Sequence, residues 1–183
     1  MRASEASIGT EADRVGHDHA ALVVAAQGGD REAFASLYAR FARMVHGIVL
    51  ARVARLDVDD VVQDVFVVAM ERLGALREPE AFGGWLASIA RTRAIDHLRR
   101  SPRTEALPPA LATRTPNHAE AMAVLAVLRG LPDAYRETLA LRLIEGMTGP
   151  EIAALTGMSD GAVRVNLHRG MKMLRERLDW RRA

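Results

Sequence analysis

The chain has 183 residues, enough for one ordinary domain or two small ones. It is 49% apolar but only 4% aromatic, and its apolar residues are mostly Ala, Leu, Val and Met, a set that favours helices over sheets. Of its 25 cationic residues all but Lys172 are arginine, yet the net charge is only +2. A balance this mild does not establish a nucleic-acid partner, so the positions of the charges must decide.

The sequence lacks the residues that several kinds of site require. Without cysteine there are no disulfides, thiolate metal sites or cysteine nucleophiles, which suits a cytoplasmic protein. There is no apolar run near the ~20 residues of a membrane span. There is also no Gly-rich phosphate loop, no helix that pairs two histidines with an acid at metal spacing and no G-x-S-x-G. The alternative of a metal held by His17-Asp18-His19 is less favoured than a solvated tail. We therefore expect no membrane insertion, no cofactor, no metal and no enzymatic activity.

Composition divides the chain into two modules. Prolines are concentrated and large apolar residues are few between positions 101 and 117, so this segment is predicted to be a flexible linker. The first 19 residues have no apolar signal-peptide core and are interpreted as a disordered extension. The predicted divisions are the extension at 1–19, a helical domain at 20–100, the linker at 101–117 and a second helical domain at 118–183.

Apolar residues recur every three or four positions in both modules, which predicts an all-α fold. Gly28-Gly29 breaks the first pattern, and Asp30 is the predicted N-cap of the helix that follows. Three aspartates occupy the first turn of the next helix, where the helix dipole favours carboxylates. Helical patterns cover residues 20–53 (broken at the glycine pair), 57–76, 80–100, 118–129, 132–145, 149–156 and 160–181.

The sharpest local signal is a predicted helix-turn-helix near the C-terminus. Thr148 and Glu151 have the spacing of a capping box, with Pro150 in the first turn. Gly157 supplies the positive φ of a tight helix end, and Ser159 is the predicted N-cap of the second helix. A short helix joined in this way to a longer one is typical of DNA-binding proteins.

The second helix of this motif has two predicted faces. Its apolar residues are Val163, Leu167, Met171, Leu174 and Leu178. Its cationic residues are Arg164, His168, Arg169, Lys172 and Arg175. A cationic stripe on a protruding helix is what entry into the major groove requires. A basic helix end that merely faces solvent is the alternative interpretation of the stripe taken alone.

Three stretches, read in order, resemble one family. They are DREAFASLYARF at 30–41, DVDDVVQDVF at 57–66 and GWLASIARTRAIDHLRR at 84–100. With the helix-turn-helix after the linker, the pattern resembles the extracytoplasmic-function group of bacterial sigma factors over residues 30–178. The resemblance implies two small helical domains joined by a flexible linker, the second a helix-turn-helix. It also implies a protein that directs RNA polymerase to promoters.

The resemblance implies a role for the acidic helix in binding core RNA polymerase. In the family this helix contacts a coiled-coil arm of the largest subunit, so Asp60, Gln63 and Asp64 would be the contact residues here. These polar groups also share one predicted exposed strip on an otherwise apolar helix, available to a basic partner. Without the resemblance, an ordinary solvated face would explain the strip equally well.

The resemblance implies that the fourth helix reads the −10 promoter element as a displaced single strand. The residues expected to contact this strand are Thr92, Arg93, Asp96, His97, Arg99 and Arg100. Arginine suits both phosphates and unpaired bases, and the loop at 76–81 would accept a flipped base. Many relatives have asparagine where this chain has Thr92, which leaves the base preference open. Trp85 could wedge into the melted duplex, but core packing is the favoured interpretation.

The helix-turn-helix would bind the −35 element, with Arg164, His168 and Arg169 toward base edges and Lys172 or Arg175 toward phosphates. The family also implies control by an anti-sigma protein, since a flexible linker permits closed and extended arrangements. Two rival interpretations remain. A helix-turn-helix regulator would bind duplex DNA by itself as a dimer, and an adaptor would bind no DNA and leave the cationic stripe unused.

Overall fold

The computed structural model describes the backbone of residues 11–100 and 116–182 and the side chains of residues 19–100 and 122–178. These ranges contain helices and turns and no strand, which confirms the all-α prediction. The helices are α1 (Glu11–Gln27), α2 (Arg31–Leu50), α3 (Val58–Arg72), α4 (Phe82–Arg100), α5 (Pro116–Arg129), α6 (Asp133–Leu143), α7 (Gly149–Thr156) and α8 (Asp160–Arg182). Single 3₁₀ turns lie at Arg55–Asp57, Leu73–Ala75 and Pro79–Ala81.

The first helix begins earlier than the sequence predicted. Residues 1–19 were expected to be disordered, but α1 starts at Glu11 and His19 is only 1% exposed. The His19 ring packs edge-on against Phe41, with ring centroids 5.4 Å apart. This ring contact fixes the helix to the core, so the boundary of the extension is corrected to residue 10. Residues 1–10 lie outside the described part of the chain.

Helices α2, α3 and α4 pack on one another to form the N-terminal module. The carboxylate of Asp30 accepts the backbone N–H groups of Glu32 and Ala33, which confirms the predicted N-cap of α2. Helix α3 is shorter than predicted because the chain tightens into a 3₁₀ turn at the poor helix former Gly74. The core of this module includes five fully buried side chains: Leu37, Phe41, Val65, Phe82 and Leu86.

Helices α5 to α8 form the C-terminal module. Pro116, predicted as the end of the linker, is the first residue of α5, a position that proline tolerates because its missing N–H would have no helical partner. The rest of the predicted linker, residues 101–115, lies outside the described residues. Helices α6 and α8 approach closely at Gly170, where a Cβ would lie 3.0 Å from Leu139 Cδ1 and 3.1 Å from Tyr135 Cβ.

The two modules pack against each other, which the sequence did not predict. One buried cluster joins Phe41 and Phe82 of the N-terminal module to Leu141, Met147 and Ile152 of the C-terminal module. Helix α2 contacts α6, and α7 contacts α1, α2 and α4. Among the described residues, no helix is both long and apolar enough to cross a membrane.

Candidate nucleic-acid interface

The helix-turn-helix has the caps that the sequence predicted. The Thr148 backbone N–H donates to Glu151 Oε2 at 2.6 Å, and the Glu151 N–H donates to Thr148 Oγ1. The bond from the Thr148 backbone, and then that from its hydroxyl, hold the pKa of the Glu151 carboxyl below its usual value. Gly157 ends α7 with a φ of 73°, and Ser159 Oγ accepts the N–H of Ala162 in the first turn of α8. The capping box, the glycine C-cap and the serine cap are confirmed.

Helix α8 presents two faces, as predicted. Val163 and Leu174 are buried at 1% and 3% exposure, and Leu167, Met171 and Leu178 are half-buried. The predicted cationic residues are all exposed: Arg164, His168, Arg169, Lys172 and Arg175. Among the described residues, Lys172 alone of these five has a carboxylate within ion-pair range, Glu176 at 4.0 Å. The remaining cations of this face are therefore available to an external anion.

Helix α4 carries the six residues expected at the −10 element, and two of these six, Arg93 and His97, already have acidic partners. Arg93 Nε lies 2.9 Å from Asp64 Oδ2, and His97 Nε2 lies 3.2 Å from Asp57 Oδ2. The Thr92 hydroxyl donates to Ser88 O within its own helix. Arg99 and Arg100 are exposed and Asp96 is half-buried. The structure thus brings these residues onto one helix, tied at two points to α3 and the turn before it.

Trp85 lies at the start of α4 and is half-buried. Its ring centroid is 5.8 Å from that of Phe82, and it packs against the main buried cluster. This position matches the expected core packing more closely than the alternative of a wedge that projects from the surface.

The acidic strip lies on α3 as predicted, with Asp60, Gln63 and Asp64 exposed. Asp64 already has a partner within the chain, because its carboxylate forms an ion pair with Arg93 of α4. An apolar groove adjoins the strip and was missed by sequence reasoning. Its walls are Phe34, Tyr38, Asp59, Val62, Gln63, Phe66, Val67 and Met70. The available signal was that Val67 and Met70 fall outside the apolar stripe of α3, and they are 43% and 58% exposed.

The loop at 76–81 is held by α1, a second feature that sequence reasoning missed. Gln27 Nε2 donates to Leu73 O at 3.0 Å and to Leu76 O at 2.8 Å. His19 Nε2 donates to Glu80 O at 3.3 Å. The His19 bond went unrecognised because His19 was assigned to a disordered extension, and the Gln27 bonds because their acceptors lie 46 and 49 positions away in the sequence. The side chains of α1 fix the loop on both sides of its exposed turn.

Comparison with known proteins identifies both modules. Residues 37–104 match the family model described as Sigma-70 region 2, and residues 121–174 match Sigma-70, region 4. The chain is 34% identical over 160 residues to RNA polymerase sigma factor CarQ of Myxococcus xanthus, covering 82% of this chain and 91% of CarQ. It is 31% identical over 158 residues to ECF RNA polymerase sigma factor SigM of Mycobacterium tuberculosis, covering 80% and 77% of the two chains.

A solved structure agrees with this relationship. The structure of CnrH in complex with the cytosolic domain of CnrY matches with a TM-score of 0.62 and 31% sequence identity, covering 88% of this chain and 97% of that chain. CnrH itself is RNA polymerase sigma factor CnrH of Cupriavidus metallidurans, 32% identical over 194 residues with 92% of this chain and 95% of CnrH covered. The chain therefore belongs to the RNA polymerase sigma factors, in their extracytoplasmic-function group.

Proposed function

We propose that this sigma factor divides its work between three helices: α3 binds core polymerase, α4 reads the −10 element and α8 reads the −35 element. The observation that carries this proposal is the arrangement of charge. Two arginine-bearing helices lie on different modules, and the acidic strip of α3 lies beside one of them. This arrangement suits one basic protein partner and two separate stretches of DNA.

Helix α8 enters the major groove of the −35 element in this proposal. Arg164, His168 and Arg169 contact base edges, while Lys172 and Arg175 contact phosphates. Their exposure and the absence of close carboxylates around four of them, within the described residues, support this assignment. Because phosphate contacts release counterions, promoter binding weakens steeply as salt is raised.

Helix α4 receives the displaced single strand of the −10 element. Thr92, Arg93, Asp96, His97, Arg99 and Arg100 are the proposed contacts. Arg93 must exchange its bond with Asp64 for a phosphate or base, so binding to DNA also releases an acidic residue of α3. A flipped base enters the loop at 76–81, whose backbone Gln27 and His19 hold in place.

Asp60, Gln63 and Asp64 contact the coiled-coil arm of the largest polymerase subunit. Their carboxylates and amide favour a basic partner, and the adjoining apolar groove offers surface that a helix of the partner can cover. Asp64 belongs to both proposed interfaces because of its contact with Arg93. Polymerase binding at α3 therefore also affects the availability of α4.

The covalent length of the chain permits both modules to reach their elements at once. The names −10 and −35 describe sites about 25 base pairs apart, or about 85 Å along the duplex. Sixteen peptide steps join Arg100 to Pro116, and a chain of that length reaches at most about 55 Å. The modules themselves span the rest. Polymerase is required to hold them at this separation.

The proposed function also includes a regulatory partner and a cellular location. The solved relative CnrH was bound to the cytosolic domain of a second protein, CnrY. We propose that an anti-sigma protein likewise controls this chain. The chain acts in the cytoplasm, together with polymerase and DNA, as an initiation factor with no catalytic activity of its own.

Charge reversal on α3 tests the proposal. Asp60→Lys is expected to abolish binding to purified core polymerase, since it places a cation against a basic surface. Glu71→Lys is the matched control, because Glu71 is also an exposed acid of α3 but lies outside the proposed contact. Far-UV circular dichroism checks that both variants fold. Unchanged affinity of Asp60→Lys would refute the assignment of α3.

A further inference from the structure

One apolar side chain of α8 is exposed on the face that carries the cations. Val165 is 45% exposed, whereas Val163 and Leu174 of the same helix are buried. Neighbouring residues of an α-helix differ by about 100° around the axis, so Val165 lies about 160° from Val163 and about 180° from Leu174. Val165 therefore points away from the core and takes no part in the packing of α8.

The cations of α8 surround Val165 on the helix surface. By the same geometry, Arg164 and His168 lie on one side of it, at about 100° and 60° around the axis. Arg169 lies on the other side at about 40°, and Lys172 lies further along nearly the same line. All four cationic residues are exposed. Val165 is thus at the centre of the face that is proposed to enter the major groove.

The turn before Val165 leaves its methyl groups uncovered. Side chains of an α-helix lean toward its N-terminus, so Val165 lies over the turn that contains Gly161 and Ala162. A Cβ at Gly161 would meet nothing within 4 Å beyond the adjoining residues and the backbone of its own helix. Ala162 is exposed and carries only a methyl group. Gly161, Ala162 and Val165 therefore form a small apolar patch that a base edge can approach closely.

The first turn of α8 is poorly suited to bind a phosphate. A helix N-terminus attracts phosphate through its free N–H groups and its dipole. Here Asp160 is an exposed acid in the first turn, and its carboxylate repels phosphate. Ser159 Oγ already accepts the N–H of Ala162. The apolar patch therefore suits a base edge better than the backbone of the DNA.

We propose that Val165 is a specificity-determining residue that contacts the C5-methyl group of a thymine in the −35 element. Of the four bases, only thymine presents a methyl group in the major groove. Val165 has no group that can pair with the donors and acceptors of the other base edges, and a polar group left unpaired on losing water costs free energy. Because arginine most often reads guanine, the thymine is expected near a guanine contacted by Arg164 or Arg169. This inference rests on the proposed entry of α8 into the major groove.

The test removes single methyl groups from the DNA and matching ones from the protein. The holoenzyme with the full-length chain first selects −35 sequences from promoter fragments that are randomised in this region. Each thymine of the selected element, on either strand, is then replaced in turn by deoxyuridine, which lacks only the C5-methyl group. Competition binding compares each substituted fragment with its parent.

Val165→Ala is the test variant, and Val24→Ala is its matched control. Both substitutions remove the same two methyl groups from an exposed valine, but Val24 lies on α1, outside the proposed DNA contact. Alanine is a better helix former than valine, so both helices are expected to be retained. Circular dichroism and affinity for core polymerase check that each variant is intact.

At one thymine, deoxyuridine should weaken binding by the wild-type and Val24→Ala holoenzymes about fourfold, the effect of burying one methyl group. Val165→Ala should bind the parent fragment more weakly and distinguish thymine from deoxyuridine by less than about twofold. Equal discrimination by wild type and Val165→Ala would overturn the inference. Wild-type indifference to every deoxyuridine, or a selected element without an A·T pair, would also overturn it. A wild-type holoenzyme that selects no −35 sequence would instead contradict the proposed role of α8.

Discussion

The two cationic helices of this sigma factor differ in how their charges are held. On α4, Arg93 and His97 are bonded to acids of the same module. On α8, Arg164, His168, Arg169 and Arg175 have no carboxylate within ion-pair distance among the described residues. Under the proposed function, the α8 cations can meet the duplex without giving up an internal ion pair. The α4 face would exchange internal partners for DNA, which suits a helix that acts only after polymerase has bound and the duplex has begun to melt.

The largest effect is expected from the free cations of α8. The double variant Arg164→Ala, Arg169→Ala removes two proposed base contacts, each worth about 1–3 kcal/mol. Promoter-specific transcription by the holoenzyme should fall by about a hundredfold, while affinity for core polymerase stays unchanged. Arg177→Ala is the control, because Arg177 lies on the other side of α8 and donates to Gly130 O. Normal transcription from all promoters by the double variant would contradict the assignment.

A smaller effect is expected at the internally paired cation of α4. Arg93→Ala removes a proposed contact to the single strand but also releases Asp64, so we expect about a tenfold loss of holoenzyme affinity for melted −10 DNA. Arg93→Lys keeps the charge without the bidentate geometry and should recover only part of the affinity. Binding to a fork-junction DNA with an unpaired −10 strand measures both. Equal binding by wild type and Arg93→Ala would remove this residue from the interface.

The hydrogen bonds from Gln27 that hold the loop at 76–81 should have a more modest influence on promoter melting. Gln27→Ala removes hydrogen bonds to Leu73 O, just before this loop, and to Leu76 O, at its first residue, each contributing about 1 kcal/mol. Base flipping, followed by the fluorescence of 2-aminopurine in the −10 element, should slow severalfold while core affinity is retained. Val24→Ala, at an exposed position on the same helix, should leave flipping unaffected. Equal rates of base flipping for Gln27→Ala and Val24→Ala would show that the Gln27 hydrogen bonds have no role in melting.

The smallest effect expected is a dependence on pH of the packing between the two modules. The hydrogen bond to Glu145 raises the pKa of His46 above its usual 6.5, with burial opposing; Asp59 also raises this pKa and Arg55 lowers it. Arg43 donates to the backbone of Glu145 at the same place. Because the pKa is raised where the modules pack together, protonated His46 stabilises the packing fully below about pH 6.5, and this stabilisation is lost as pH rises through the raised pKa.

Energy transfer between dyes on cysteines introduced by Ala35→Cys on α2 and Ala126→Cys on α5, two exposed positions in a chain without cysteine, checks this dependence. Transfer in the wild type should decline as pH rises from 6.5, and His46→Gln should flatten that decline. Identical pH profiles for the two proteins would show that another group governs the change. Measurement without polymerase separates this effect from any influence of pH on the enzyme.

The features that could be predicted from the sequence are those encoded within a few residues. Asp30, the Thr148–Glu151 box and Gly157 determine helix ends by local hydrogen bonds and backbone geometry, so their roles followed from residue type and spacing. The two faces of α8 followed from periodicity. The family followed from three motifs in order.

The features that could not be predicted depend on contacts between distant segments. Arg91 donates two hydrogen bonds to the carboxylate of Glu137, which is 46 positions away. Nothing in the local pattern of either residue indicates this ion pair. Gly83 lies close against the backbone of Leu155, and nothing in the residues around Gly83 indicates this contact. His19 gave no local sign of burial because its contacts are with Phe41 and Glu80. The available signal for such contacts was a glycine or a charged residue inside an apolar stripe. This signal does not indicate which distant residue lies against it.

Run-off transcription with purified core polymerase and promoter fragments tests the central claim most directly. We predict discrete transcripts when the protein and core enzyme are combined, and neither transcripts nor a shift of promoter DNA when the protein is alone. A protein that shifts promoter duplex without polymerase, or that yields no specific transcript in its presence, would contradict the account.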